Sequence, residues 1–479
     1  MSEQATVPST QKSQLRRVMG FWDVLLFCIV TVLGPRWIAA AAHAGQSSIS
    51  LWILAALLFF VPTAFVIVEL STRFPEEGGL YVWTKEAFGD FHGFVAGWTY
   101  WTYTIFYFPG LLLASTAMAA YVGGPKFAYL AEDQEFLLTG SLLMLAAAVW
   151  LNIIGLHIGK WLQNAGGVGT YVPLLMLLGV AVLFWSARGS ATHFSWTAML
   201  PHWDWGTVNF WSQIAFAFTG LELVSAMSEE VRDPQRTFPR AIFASGALIA
   251  LMYIAGTIAI LALIPDATVD PKSGVFQAMT EGSAVLRMAS VGVIAALLVT
   301  VGNTGGVGST VAGVARIPFI VGIDRYLPAA FGRIHPKWKT PHISILIQAA
   351  LSVGVLALSQ FRATERTAYQ FVVSAAIILY FIPFIYMYAA AIKLAWRPDR
   401  KDRNGAVLIP GGKIGVVFCG TLGLLAVVAG IIFSVIPPGE ETNKTLFVAK
   451  IILGTLATIG TGLVLYYRGA RQKAADERG

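Results

Sequence analysis

The chain has 479 residues, of which 56% are hydrophobic and 12% are charged. A soluble domain usually carries about 25% charged residues, so this composition excludes an ordinary soluble globular protein. The formal net charge of +7 does not indicate a nucleic-acid partner, because the basic residues occupy alternate loops instead of forming one patch. The composition therefore predicts an all-α membrane protein that binds no nucleic acid.

Twelve apolar segments follow a polar tail at 1–20. Many of them reach the ~20 residues that an α-helix needs to cross a bilayer. The predicted spans, numbered 1 to 12, are 21–44, 49–73, 91–122, 136–156, 161–186, 208–230, 240–264, 286–320, 341–359, 367–396, 413–436 and 445–468. A second polar tail, 469–479, ends the chain. With both tails in the cytoplasm, the inner segments hold about 24 Lys and Arg against about 7 outside, as expected for a multi-pass protein of the plasma (inner) membrane.

Span 1 contains the helix-breaking sequence Gly34, Pro35, Arg36. Pro35 has no amide hydrogen and clashes with the preceding turn, and Gly34 tolerates backbone conformations that other residues avoid. Free backbone groups at mid-membrane depth are tolerated only inside protein or beside a water-filled cavity. We therefore expect span 1 to be broken where it faces a cavity.

Span 6 has a corresponding weak point at Phe218, Thr219 and Gly220, just before Glu222. Spans 1 and 6 are five spans apart, which is the spacing of a five-plus-five inverted repeat that binds its substrate between two discontinuous helices. The N-termini of half-helices offer free N–H groups and a partial positive charge, which suit a carboxylate. Simple kinks in ordinary membrane helices are the alternative, and the matched positions favour the repeat.

Arg36 and Glu222 are charged residues beside the two breaks. A charge at the bilayer centre costs at least ~2.5–3.5 kcal/mol, so each requires a partner or a function. One interpretation pairs them as a structural ion pair across the breaks. In the other, Arg36 binds a carboxylate through two guanidinium donors and Glu222 accepts an ammonium group. The two interpretations could describe two states of one cycle.

Further charges lie near the predicted inner ends of spans 2 and 6 and are candidates for an inner gate. Glu69 ends span 2 and is expected to pair with Arg73 or Lys85. Glu229 and Glu230 end span 6 and are expected to meet a base of the following loop: Arg232, Arg236 or Arg240.

Three ordered motifs carry a family resemblance. They lie at 59–89, 216–242 and 315–341, and the first contains the run Glu-Glu-Gly-Gly-Leu-Tyr. In this order they resemble helix 2 with its inside loop, helix 6 with the next loop, and the helix 8–9 connection of the amino acid–polyamine–organocation (APC) superfamily. The resemblance extends over spans 1 to 10, and the chain is identified as a member of that superfamily.

The resemblance implies a five-plus-five inverted repeat with discontinuous helices 1 and 6, followed by helices 11 and 12. The transport core is then 21–396, and 397–468 contains the last two helices. It also implies alternating access in the lipid bilayer and a small-molecule substrate, and we expect a monomer. Amino acids are the expected cargo. The alternatives are a polyamine or amine uptake carrier and a glutamate/GABA-type exchanger.

The resemblance also implies which residues bind the substrate. In the family, a Gly-small-Gly run in helix 1 holds the substrate carboxylate through its amides, and Arg36 stands here in place of the second Gly. Arg36 therefore either replaces this capture or blocks it. Phe216 matches the aromatic residue that covers the site in related transporters. The implied substrate-binding residues are Gly34, Pro35, Arg36, Trp37, Phe216, Phe218, Thr219, Gly220 and Glu222.

The coupling ion stays open between proton, sodium and exchange without an ion. Ser309 and Thr310 follow a Gly-rich stretch in span 8, and their hydroxyls could coordinate sodium; packing against a neighbouring helix is the alternative. Some proton-coupled relatives carry a Lys in helix 5, and this chain has Thr170 there. Both cysteines, Cys28 and Cys419, lie in apolar spans and predict neither a disulfide nor a metal site. We expect no cofactor.

Two other functional classes fit the sequence less well. An intramembrane enzyme would need paired aspartates or a Ser/His pair at depth, and Asp23 stands alone near the start of span 1. A channel would need a filter loop or rings of like residues from several subunits, and neither pattern is visible. The sequence therefore favours a transporter and predicts no enzymatic activity.

Overall fold

A computed structural model describes residues 17–201, 205–270, 273–288, 290–359, 365–397, 406–436 and 444–476. Within these ranges the backbone forms α-helices, short 3₁₀ and π segments and one isolated β-bridge, between Met19 and Val231. The residues of the predicted tails, of span 8 and of the segment between spans 10 and 11 that lie outside the described residues are 1–16, 289, 398–405 and 477–479.

The helices follow the predicted spans and are numbered after them. They are α1a (Phe21–Val32), α1b (Pro35–His43), α2 (Ser47–Arg73), α3 (Asp90–Ala119), α4 (Gln134–Ile154), α5 (Leu156–Arg188), α6a (Trp205–Ala217), the 3₁₀ segment α6b (Leu221–Glu230), α7 (Pro234–Leu263), α8 (Ser290–Val314), α9 (His342–Ser359), α10 (Glu365–Leu394), α11 (Gly412–Ser434) and α12 (Lys444–Asp476). In the described part of the chain, ten stretches are long and apolar enough to cross a bilayer. The shorter apolar α9 and the divided α6a–α6b complete the twelve.

The two discontinuous helices begin the two five-helix halves, α1–α5 and α6–α10, as the inverted repeat requires. The break in span 1 follows from Pro35, which stands at the first position of α1b. Proline favours that position because its missing N–H needs no helical partner there. It also forces the preceding residue out of the helical region, and Gly34 is accordingly extended, with φ −110° and ψ 116°.

Three connecting segments contain α-helices that the sequence did not predict. They are Leu80–Phe88 between α2 and α3, Trp196–Met199 between α5 and α6a, and Gly274–Val285 between α7 and α8. The helix Gly274–Val285 buries the apolar side chains of Val275, Phe276 and Met279. The predicted span 286–320 corresponds to Ser290–Gly322, which is long and apolar enough to cross a bilayer. Within it, α8 ends at Val314 and a separate helix, Arg316–Ile323, follows.

Helices α5 and α8 approach each other closely, which brings α8 beside the break in span 1. A Cβ added to Gly305 would lie 2.4 Å from the Cα of Gly166, so no larger residue fits at this crossing. Small residues at helix crossings allow close backbone contact within a membrane. A Cβ on Gly306 would in turn meet the carbonyl of Val30 in α1a at 3.3 Å. The glycines of α8 therefore hold it against both neighbours.

Candidate substrate-binding site

The break in span 6 lies against the break in span 1. Gly220 has φ +120°, a conformation that favours glycine, and a Cβ there would come within 3.0 Å of the carbonyl oxygen of Thr31. The hydroxyl of Thr31 lies 3.4 Å from the carbonyl of Gly220. The sequence Phe218–Thr219–Gly220 therefore interrupts the helix where only glycine permits the close approach.

A cavity lies between the two breaks, with a water-accessible volume of about 60 Å³. Such a space accommodates roughly four water molecules, or a small solute in their place. Eight of the predicted residues line it: Gly34, Pro35, Arg36, Trp37, Phe216, Thr219, Gly220 and Thr310. The rest of the wall comes from both halves of α1 and α6 and from α3, α5, α8 and α10, whose polar groups are those of Tyr103, Tyr107, Ser115, Thr170, Asn303 and Tyr380. The breaks thus meet at a cavity that is largely uncharged.

Arg36 is half-buried in the first turn of α1b, at the edge of this cavity. Its guanidinium carbon lies 4.5 Å from the ring centre of Trp37 and 5.1 Å from that of Tyr107. These distances are typical of cation–π contacts, which hold the cation without neutralising it. Among the described residues no carboxylate lies within ion-pair distance of Arg36. The predicted ion pair with Glu222 is therefore absent from this structure.

Glu222 is buried, with 1% of its surface exposed, and it does not line the cavity. The hydroxyl of Tyr100 donates to its carboxylate at 2.7 Å, and the hydroxyl of Tyr380 donates to the same oxygen. The N–H of Gly220 donates to the other oxygen at 3.0 Å. These three donors explain why Glu222 needs no basic partner. Tyr380, which also lines the cavity, separates Glu222 from that space.

The two phenylalanines of span 6 have different positions. Phe216 lines the cavity, with its ring centre 5.8 Å from Trp37 and 5.4 Å from Tyr380. Phe218 is fully buried away from the cavity and stacks on Phe60 of α2 at 4.5 Å. Phe216 is therefore placed to cover a solute, whereas Phe218 packs α6a against α2.

The helix ends that the sequence predicts to lie inside are held by a buried ion cluster, which we call the inner cluster: Glu77, Glu230 and Arg316. Arg316 approaches Glu230 to 2.5 Å and Glu77 to 3.3 Å. All three side chains are at most 4% exposed. Glu77 also accepts the backbone N–H of Glu229 at 3.1 Å.

Burial raises the pKa of Glu77 well above its ordinary value, and the nearby carboxylate of Glu230 raises it further. The guanidinium of Arg316 opposes the shift without cancelling it. Two carboxylates around one guanidinium leave a net negative charge that a proton on Glu77 removes.

The predicted partners of the inner-gate residues are partly correct. Arg73 pairs with Glu69 at 3.3 Å, as predicted, and Lys85 instead pairs with Asp324 at 2.6 Å. The prediction for Glu230 was wrong, because its partner is Arg316. Arg236 forms a solvent-exposed pair with Asp233 at 3.6 Å.

The correct partner of Glu230 was missed because Arg316 and Glu77 belong to distant motifs. The only indication in the sequence was that each of the three motifs of the family resemblance contains one residue of the inner cluster.

The hydroxyls proposed for an ion differ in their bonding. Ser309 is fully buried and its Oγ has no hydrogen-bond partner among the described residues. Thr310 donates to the carbonyl of Gly306 at 2.9 Å and borders the cavity. A buried hydroxyl without a partner is uncommon in native structures and calls for an explanation such as an ion or a water molecule.

The chain belongs to the amino acid permease family, whose model matches residues 19–457. An uncharacterized transporter of Legionella pneumophila is 27% identical over 453 residues, which are 94% of this chain and 95% of that protein. The probable agmatine/putrescine antiporter AguD of Lactococcus lactis is 24% identical, over 93% of this chain and 94% of its own length. The serine/threonine exchanger SteT of Bacillus subtilis is 25% identical, over 73% of this chain and 78% of its own length.

Among solved structures, the crystal structure of MhsT in complex with L-phenylalanine resembles this chain with a TM-score of 0.65 at 12% identity. The match covers 88% of this chain and 99% of that chain, so the two share one fold.

Proposed function

We propose that this permease is a secondary active transporter that moves amino acids across the membrane by alternating access. The observation that carries the proposal is the cavity at the two helix breaks, with Arg36 at its edge. The N-terminus of α1b and the guanidinium both favour negative charge, so a substrate carboxylate has two reasons to bind there. Phe216 is positioned to cover the substrate.

The charge of the cavity favours amino acids over polyamines. Arg36 is the one charged side chain among the described residues that line it. A polycation would meet this positive charge without a carboxylate, since Tyr380 separates Glu222 from the cavity. Agmatine and putrescine are the alternative cargo, on the basis of the name of AguD. The name of SteT supports serine- or threonine-like amino acids. A glutamate/GABA-type exchange remains compatible with Arg36.

Alternating access requires α1a and α6b to move at their inner ends. The backbone N–H groups of Val18 and Met19 donate to the carbonyl of Glu230 at 2.9 and 3.1 Å, and the N–H of Arg232 donates to Met19 at 2.8 Å. These bonds join the segment before α1a to the end of α6b, so the two half-helices move together. The inner cluster and the bonds of Glu222 then act as inner gates that must open.

The coupling ion is a separate part of the proposal. Sodium is the candidate for Ser309 and Thr310, because the hydroxyl of Ser309, which has no hydrogen-bond partner among the described residues, offers an oxygen ligand. A proton on an acidic group of the inner side is the alternative. Both termini are proposed to lie in the cytoplasm, with the protein in the plasma (inner) membrane.

The test is uptake into proteoliposomes by the wild type and by the Arg36→Ala variant. Labelled L-serine, L-glutamate, GABA and putrescine are supplied separately, each with sodium and with choline in its place. We expect uptake of an amino acid, and a loss of about 10- to 100-fold in its apparent affinity in Arg36→Ala, as for one charged hydrogen-bond pair. Arg188→Ala, which removes an exposed charge at the end of α5, is the matched control. Uptake of putrescine alone, or unchanged amino acid affinity in Arg36→Ala, contradicts the proposal.

A further inference from the structure

Tyr253 of α7 contacts both helix breaks through one hydroxyl group. The hydroxyl lies 2.6 Å from the carbonyl of Val32 and 2.9 Å from the carbonyl of Ala217. It also accepts the N–H of Gly34 at 3.2 Å. Val32 is the last residue of α1a, Ala217 is the last residue of α6a, and Gly34 precedes α1b. The hydroxyl oxygen of Tyr253 therefore contacts the last residue of α1a, the last residue of α6a and the residue before α1b.

The hydroxyl has one proton and two carbonyl acceptors. A tyrosine can donate only one hydrogen bond, so Val32 and Ala217 share it. Both carbonyls end a helix and lack the next turn that would supply an N–H. When one of the two carbonyls moves away, the hydroxyl donates its proton to the other carbonyl alone. The hydrogen bond at one break therefore depends on the position of the other break.

The ring of Tyr253 is held by Trp52 of α2 and by Phe218 of the span 6 break, whose ring meets it edge-on at 5.2 Å. It is fully buried and stacks on Trp52 of α2 with ring centres 4.3 Å apart and planes 5° apart. The indole N–H of Trp52 donates to Thr257, which in turn donates to the carbonyl of Tyr253. The position of the hydroxyl is therefore set by ring contacts from α2 and the span 6 break as well as by α7, and removing the oxygen leaves these ring contacts intact.

We propose that Tyr253 is a positioning residue whose hydroxyl couples the break of span 1 to the break of span 6, so that the two walls of the cavity change conformation together. The inference deepens the proposed function, since a substrate that binds at one break is then sensed at the other. Tyr253 does not line the cavity, so its effect on the substrate is indirect.

The experiment is amide hydrogen exchange on purified full-length protein without substrate, which keeps it independent of the cargo. Tyr253→Phe is compared with the wild type over peptides spanning 29–38 and 214–224. The matched control is Tyr388→Phe, because Tyr388 is equally buried and its hydroxyl bonds Thr63 of α2 and no described residue of either break. A peptide over 385–392 reports on exchange near the control site.

In Tyr253→Phe we expect both break peptides to exchange at least about fivefold faster, the factor that corresponds to one net hydrogen bond. The 385–392 peptide should not change, and Tyr388→Phe should leave both break peptides at the wild-type rate. A response of neither break or of only one break overturns the coupling. Equal acceleration of all peptides, or the same effect in Tyr388→Phe, also overturns it, because either result indicates general loss of stability. A failure of amino acid uptake would contradict the proposed function. It would not affect the exchange experiment, which uses protein without substrate and tests the coupling alone.

Discussion

Arg316→Ala removes the guanidinium from the inner cluster and should strongly destabilise the inner side. Arg316 is 2% exposed, and it contacts Glu230 at 2.5 Å and Glu77 at 3.3 Å. Removing one partner of a buried ion pair typically costs about 3–5 kcal/mol, because a charge is left buried without compensation. Here the raised pKa of Glu77 allows one carboxylate to take up a proton. We therefore expect a cost near the lower end, about 3 kcal/mol.

The control is Arg397→Ala, which breaks an ion pair on the surface. Arg397 approaches Glu86 to 3.1 Å, and the two side chains are 40% and 43% exposed. Exposed pairs contribute about 0–1 kcal/mol. Both variants are compared with the wild type by thermal unfolding in one detergent at neutral pH.

The apparent melting temperature of Arg316→Ala should fall at least about three times as far as that of Arg397→Ala, in the ratio of the two costs. Uptake by Arg316→Ala, corrected for the amount of folded protein, should also fall, because the inner gate no longer closes. Equal falls in melting temperature for the two variants would refute the reasoning that the inner cluster stabilises the closed inner side.

Two further predictions concern buried carboxylates. A carboxyl whose pKa is raised by folding stabilises the protein fully below its unfolded pKa of about 4.3, and this contribution is lost as the pH rises through the folded pKa. Glu77→Gln should therefore remove part of the fall in melting temperature from acidic to neutral pH, and an unchanged pH profile would show that Glu77 does not titrate there. Glu222→Gln replaces an acceptor oxygen by an NH₂ group that faces the hydroxyl of a tyrosine or the N–H of Gly220. Uptake should fall sharply at equal amounts of membrane-inserted protein, and normal uptake would exclude a gating role for Glu222.

The helices and their breaks could be predicted from local sequence, because their causes are local. Apolar length predicts a span, and Pro35 predicts the break of span 1 through its missing N–H and its effect on Gly34. Gly220 predicted the second break less directly, since only the contact with Thr31 shows why glycine is required. The two longer helices of the connecting segments were missed because their apolar faces are buried by tertiary contacts that hydropathy does not reveal.

The pair Glu69–Arg73 could be predicted, because the two residues are four apart on one helix. Partners on other helices could not, because they depend on how the helices are rotated and packed. Glu222 was assigned a basic or cationic partner, and it is bonded by tyrosines from α3 and α10. One interpretation of the sequence paired Arg36 with Glu222, but Arg36 lies over two aromatic rings. The electrostatic cost of a buried charge predicts that a partner exists, but several neutral donors or a ring face satisfy the same requirement.

The most direct test of binding at the two breaks is a thermal-shift screen of the purified wild type against single amino acids, agmatine and putrescine, each at two pH values. A ligand that binds the folded state raises its apparent stability, by about 2.7 kcal/mol at a concentration of 100 times Kd. We predict a rise in melting temperature with at least one amino acid, which disappears in Arg36→Ala and persists in Arg188→Ala. A rise with agmatine or putrescine alone, or an amino acid response that survives in Arg36→Ala, would contradict carboxylate binding at the helix breaks.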